Sequence, residues 1–358
     1  MTSLQVASLR VLGTIAVFGI LCGTFAYAQT ETTLFTFPNG TTTTNPYTLI
    51  SDGHGNFFGT AIGGNGSVFE LSPATGGGWT VTTIYAFPGA TGPYYPEALV
   101  MDTAGNLYGA NNGGRLTNVY GEIYKLSPNG QGGWTYSTIY QFHGSDGRFP
   151  QGSLLFDSAG NLYGTTNQGG QCATDSMGCG LVYELSPQSD GKWKEHLLYH
   201  FGEFSGDGRY PLAGLVFDSK GNLYGTTAVD GAFGDGTVFK LTLTSDGQWR
   251  FRVLYNFRIE YAGSGSFSTG VVFDHAGNLY GTIWGPPSGN CNGGGCGLIY
   301  KLAPQPSGPW KYSVVHTFEG NDGGDPTSTL IIDKNGNLYG TTGIGGANGY
   351  GVVFELTP

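Results

Sequence analysis

Gly221-Asn222-Leu223-Tyr224-Gly225-Thr226-Thr227, opening three residues after Asp218, is the stretch that decides the fold. Close copies begin at Gly55, Gly105, Gly160, Gly277 and Gly336, so the six copies stand 50, 55, 61, 56 and 59 residues apart. A period of that length marks a repeat architecture and is read before any single segment. One unit runs from Pro211 to Phe257. It holds an apolar run ending in Asp218, a Ser219-Lys220-Gly221 turn, the Asn222-to-Thr227 run, a variable loop, a Gly236-to-Thr242 run, and a last run from Trp249. Four short β-rich runs separated by turn residues read as four antiparallel strands. After the first thirty or so residues no stretch sustains a period of about 3.6 residues, so almost no helix is expected.

The count of strands is offset between the two ends. Fourth runs open on Trp79, Trp134, Trp193, Trp249 and Trp310, five for six units. Residues 31–37, Glu-Thr-Thr-Leu-Phe-Thr-Phe, match the end of a fourth run such as Thr83-Ile84-Tyr85-Ala86-Phe87, while the last unit stops after its third strand. The expected fold is therefore all-β: a six-bladed β-propeller of four-stranded blades, closed by the N-terminal strand completing the last blade. Such closure leaves no long open sheet edge. An open array would have no reason to begin with a quarter of a unit, and a unit of four strands is too long for one coil of a β-helix.

Composition agrees. Only 11% of residues are charged, against about a quarter in ordinary domains, while 65 are Gly and 14% aromatic. That balance is the reverse of a disordered chain. The formal net charge is −10 and no basic stripe appears, which argues against nucleic-acid binding. Arg10 is the only charge before an apolar run over residues 11–25, and Ala26-Tyr27-Ala28 fits the small-x-small rule for signal cleavage. Residues 1–28 are thus expected to be a secretory signal and residues 29–358 a single propeller domain, secreted or periplasmic. The run is short for a membrane span, and no second apolar segment follows, so no membrane association is expected after signal removal. Four cysteines remain, in two close pairs. In an exported chain these predict disulfides Cys172–Cys179 and Cys291–Cys296; a shared zinc site would require loops two blades apart to meet.

Asp-x-x-Gly-Asn recurs before each second strand, for example at residues 218–222. It reads as a hairpin turn in which Asp accepts backbone N–H groups and Gly takes a positive φ; one carboxylate per turn is too few for calcium. No metal or cofactor is expected. Strand alternation puts the crossings between blades and the loops between second and third strands on one face. That face collects the variable loops (residues 111–120, 167–178 and 284–295), both disulfides and two Asp-Gly-Arg turns. Variable loops on a rigid scaffold are where binding resides. The ligand-binding candidates are Trp284, an aromatic platform for a sugar or a peptide, and Asp146, Arg148, Asp207 and Arg209, which could ring the central opening. The structural alternatives are a Trp packed on its own disulfide loop and Asp-capped turns with paired Arg residues. Glu70, Lys125, Glu184, Lys240, Lys301 and Glu355 share one position in the third strands and are expected to snorkel to the rim. No nucleophile elbow or phosphate cradle appears.

The phrase Asp-x-x-Gly-Asn-Leu-Tyr-Gly-Thr-Thr, followed by Gly-x-Val-Tyr-Glu-Leu-Ser-Pro and Leu-Tyr-x-Phe, resembles the GloVer tandem repeat of bacterial exported choice-of-anchor repeat proteins, over nearly all of residues 31–358. The resemblance implies an exported, propeller-like surface protein of unassigned activity and supplies no catalytic residues. Many relatives carry a C-terminal sorting tail; here the sequence stops at Pro358, so release is expected. Asn-Leu-Tyr-Gly-Thr also looks like a strand phrase of sensor and lyase propellers, and fold alone assigns no activity. The function expected is a non-catalytic, monomeric binding scaffold for a carbohydrate or protein at the variable-loop face. The alternatives are a propeller enzyme of lyase or glycoside hydrolase type, with acids at the channel mouth, and a structural envelope component.

Overall fold

The computed structural model describes residues 46–88, 96–113, 120–172, 175–258, 267–285, 291 and 296–357. Among them there is no helix; all regular structure is antiparallel strand, in six sheets. The protein is a six-bladed β-propeller. Blade 4 shows the pattern: Val216–Phe217, Leu223–Thr227, Thr237–Leu243 and Trp249–Asn256, paired in that order. Blades 1, 2 and 3 repeat it, opening at Pro46, Pro96 and Arg148. In blades 5 and 6 the first strand is broken in two, both pieces pairing with the second strand. Blade 6 has its first three strand positions, ending at Val353–Leu356. The N-terminal strand expected to complete it, residues 31–37, lies outside the described residues, as does the signal segment.

Burial follows radial position. All five residues of Leu223–Thr227 are buried, because a second strand lies between neighbouring blades and both its faces are covered. The fourth strand Trp249–Asn256 alternates in burial over its first half, as a strand with one outward face must. This is why Asn-Leu-Tyr-Gly-Thr-Thr shows no polar alternation in the sequence.

The core lies between blades and is built from a repeated aromatic device. The Phe closing each Leu-Tyr-x-Phe phrase meets, edge to face, the third-strand aromatic of the next blade. Phe87–Tyr124, Phe142–Tyr183, Phe201–Phe239, Phe257–Tyr300 and Phe318–Phe354 have centroids 5.2 to 5.4 Å apart, the geometry that ring quadrupoles favour. The Gly of Tyr-Gly-Thr makes room for the receiving ring: a Cβ on Gly225 would stand 2.5 Å from Phe239 Cζ. The Trp opening the fourth strand of blades 2 to 5 packs backwards on the second strand of the preceding blade, as Trp249 does on Tyr163 and Trp193 on Tyr108, whereas Trp79 meets Phe57 of its own blade. Threonine hydroxyls add polar ties, Thr165 to the Ala213 carbonyl and Thr282 to that of Pro326.

The Asp turns form as their local chemistry dictates. Asp218 Oδ1 accepts the Lys220 and Asn222 N–H groups, and Oδ2 accepts the Asn222 side-chain amide and the Tyr224 hydroxyl. Burial works against its ionisation, yet these donors hold its carboxyl below the usual range. Lys125, Lys240 and Lys301 lie over the cross-strand rings of Tyr108, Tyr224 and Tyr280 at 5.2 to 5.3 Å. The ring face attracts the ammonium, and Lys240 Nζ also stands 3.9 Å from Asp218 Oδ2 in the hairpin turn.

Candidate functional site

Each crossing into a new blade ends in Pro, except that Phe267 holds that place in blade 5. The chain then turns into the first strand and runs beside the propeller axis. The residues immediately after the turn are Tyr47, Glu97, Gln151, Leu212, Ser268 and Thr327, and all six line one axial cavity of about 600 Å³. Below them the wall is made of small residues. Gly152 approaches Ala213 and Gly214 of the next blade so closely that a Cβ would stand 2.3 Å from their backbone atoms. Small residues there let six strands crowd one axis and still leave it open.

The turn that sets these side chains is strained. Phe149, Tyr210 and Asp325, each directly before Pro, have φ of 55°, 56° and 52°, a left-handed conformation that costs a non-glycine residue on the order of 1–3 kcal/mol. Each strained residue is held by a backbone bond to the preceding blade: Phe149 N–H to Tyr120 O, Tyr210 N–H to Cys179 O and Asp325 N–H to Cys296 O. Two of the acceptors belong to disulfides. Cys172–Cys179 and Cys291–Cys296 are paired as the spacing predicted, with Cys179 and Cys296 wholly buried. The disulfide loops thus brace the turns that aim residues into the cavity.

Glu97 is the one carboxylate among the described residues lining the cavity, and no Lys, Arg or His lines it. Asn112 Nδ2 donates to its Oε1 at 3.0 Å, and the Tyr47 hydroxyl and Gln151 amide also bond to the carboxylate. Burial pushes the Glu97 carboxyl up, and these three neutral donors pull it only part of the way back. Tyr47 is pushed up to about 12, by burial first and then by the Glu97 charge. Tyr47 is 59% exposed, but it lines the axial cavity, where solvent is confined and screens less than bulk water. Gln151 Oε1 is buried with no hydrogen-bond partner among the described residues.

Trp284 ends the second strand of blade 5, is 39% exposed and forms part of the cavity wall. Its blade stands opposite that of Glu97 in a ring of six. The Asp325 carboxylate, raised by burial, accepts the Gly285 N–H and so holds the backbone beside Trp284. The other four residues singled out from the sequence do not line this cavity. Asp146 caps its turn, accepting the His143 N–H and the Tyr140 hydroxyl. Asp207 is buried and accepts the Tyr199 hydroxyl at 2.6 Å and the Gly202 and Glu203 N–H groups. Arg209 pairs with Asp230 at 2.5 Å, and Arg148 lies over the Phe149 ring at 4.4 Å. Sequence reasoning missed Glu97, Tyr47 and Gln151. Their signal was available: the position after the crossing Pro differs in all six units, as Tyr47, Glu97, Gln151, Leu212, Ser268 and Thr327. Among the described residues no three His, Cys, Asp or Glu side chains converge as a metal site, and no helix is long and apolar enough to cross a membrane.

A ring of six four-stranded sheets around a polar axial cavity defines the class. The Gloeobacter/Verrucomicrobia repeat matches residues 16–174 and 63–295, more than half of the chain, and the protein belongs to that family. No curated protein sequence matches it. Among solved structures it is similar to a candidate 6-phosphogluconolactonase from Bacteroides uniformis, at 16% identity, covering 82% of this chain and 76% of that one, with a TM-score of 0.52. The periplasmic gluconolactonase of Pseudomonas aeruginosa is similar at 14% identity, over 86% and 84% of the two chains, with a TM-score of 0.50. A Dyadobacter fermentans protein of unknown function is similar at 14% identity, over 87% and 92%, with a TM-score of 0.50. At these identities the likeness speaks for the fold alone.

Proposed function

We propose that this protein is an exported binding propeller that holds a carbohydrate in the axial cavity, at its opening on the variable-loop face. The observation that carries the reading is the make-up of the cavity wall: serine and threonine hydroxyls, an amide, a phenol and a single carboxylate, with Trp284 on the side opposite Glu97. A pocket with a few convergent polar groups and one aromatic platform suits a polyol that presents hydroxyls along its edge and C–H groups on its face. Cleavage after Ala28, a single domain over residues 29–358 and action as a monomer belong to the same reading. The two disulfides support an oxidising compartment outside the cytoplasm.

The enzyme alternative has one observation in its favour, the partly buried Glu97 carboxyl, which burial pushes up and which would suit a general acid. Glycoside hydrolysis ordinarily employs two carboxyl groups across the scissile bond, and Glu97 is the one such group among the described lining residues. Binding without turnover is therefore favoured. Screening residues 29–358 on a glycan array, followed by calorimetry, tests it. Trp284→Ala should weaken the best ligand by about two- to tenfold, since an aromatic contact contributes about 0.5–1.5 kcal/mol. Absence of any glycan binding, or full affinity in Trp284→Ala, would overturn the assignment.

A further inference from the structure

Among the described residues lining the axial cavity, Glu97 is the one ionisable carboxyl, and no cationic side chain stands with it. Glu97 is surrounded by donors that are all neutral: Tyr47, Asn112 and Gln151. A carboxylate has about four lone-pair sites, so the three donors among the described residues orient it and leave one site for a ligand. The chain as a whole carries −10, and no cationic side chain lines the cavity among the described residues. A ligand with a carboxylate of its own would meet like charge in a confined space. A neutral sugar would leave the Glu97 charge uncompensated. A ligand ammonium would supply both the missing donor and the missing charge, in the strong class of charge-assisted hydrogen bonds.

We propose that the cavity selects aminated sugars, with the ligand ammonium donating to the Glu97 carboxylate and the sugar face against Trp284. This rests on the carbohydrate reading above and names its ligand class. The positions around the axis suit the rest of such a ligand: Ser153 and Thr327 present hydroxyls from blades 3 and 6, able to donate to or accept from sugar hydroxyls. A metal cation is a poorer occupant, because one carboxylate falls short of the oxygen ligands such ions require.

Calorimetric titration of residues 29–358 with chitosan oligosaccharides, their N-acetylated counterparts and oligogalacturonate separates the cases. The three probes are amino, neutral and acidic. The wild type should bind the amino oligosaccharide at least about tenfold more tightly than the neutral one, and the acidic one most weakly. Glu97→Gln, which keeps shape and donors, should bring amino and neutral ligands to within about twofold, with thermal unfolding confirming that the variant is folded. Trp284→Ala should weaken the amino and neutral probes alike and leave their ratio unchanged. Equal affinity for amino and neutral ligands in the wild type, or a preference that survives Glu97→Gln, would overturn the inference and leave carbohydrate binding standing. No binding of any sugar would overturn both.

Discussion

Glu195 is the residue at which the repeat departs from its own rule. In three interfaces a fourth-strand Tyr stacks flat on an aromatic of the next blade: Tyr85 on Tyr136, Tyr199 on Phe251 and Tyr255 on Tyr312, at 4.0 to 4.9 Å. Between blades 2 and 3 the receiving position is Glu195, beside Tyr140. Burial, with the Asp146 charge adding, pushes its carboxyl up to about 7, and its Oε1 is buried with no hydrogen-bond partner among the described residues. The folded protein therefore holds a proton that the unfolded chain has released, between the ordinary 4.5 and about 7. Stability falls as pH rises through that window and is level above it with respect to this group. Glu195→Phe should restore the stack, raise stability at pH 8 by about 1 kcal/mol after discounting for partial exposure, and flatten the slope between pH 5 and 7. Urea unfolding at both pH values checks it. Single residues were legible to the degree that their partners are close in the chain. Asp218 was readable because its donors lie within six residues. Glu97 was not, because Gln151 and the opposite wall come from other blades.

At the scale of elements, the second strand and the ring it receives act as one unit. Gly225→Ala would drive a methyl group into the Phe239 ring and the Leu215 side chain, so it should destabilise the protein by about 1–3 kcal/mol, as overpacking does. Phe201 is wholly buried between blades 3 and 4, and Phe201→Ala should cost about 3–5 kcal/mol through the cavity it leaves. Thermal unfolding of both variants tests whether stability resides between blades. Equal values for Phe201→Ala and an exposed control such as Leu243→Ala would place it elsewhere. The strands themselves were readable from runs and turns, with one class of exception. First strands of blades 5 and 6 are broken and that of blade 4 is cut to two residues. Crowding at the axis brings Gly214 against Ser153 and Gly270 against Thr329, and packing there outweighs the pairing that the apolar run suggests.

At the scale of the molecule, the open question for stability is how the ring is fastened. Third-strand residues of blades 2 to 5 are buried on both faces, whereas Val353 in blade 6 is 77% exposed. Residues 31–37 carry the phrase of a fourth strand, the one expected to complete blade 6. If residues 31–37 complete the last blade, deleting them should lower the melting temperature by roughly 5–10 °C; an unchanged melting temperature would mean that the ring needs no such fastening. The sequence by itself determined the number of blades, the order of their strands, the Asp-capped hairpins and the disulfide pairing. These depend on contacts within one unit, where a spacing of a few residues already decides what can meet. Only the tertiary structure decided that Tyr47, Glu97, Gln151 and Trp284 share one cavity, and that Asp146, Arg148, Asp207 and Arg209 stand away from it. Convergence on an axis depends on how six sheets tilt and crowd one another, and no single unit encodes that geometry.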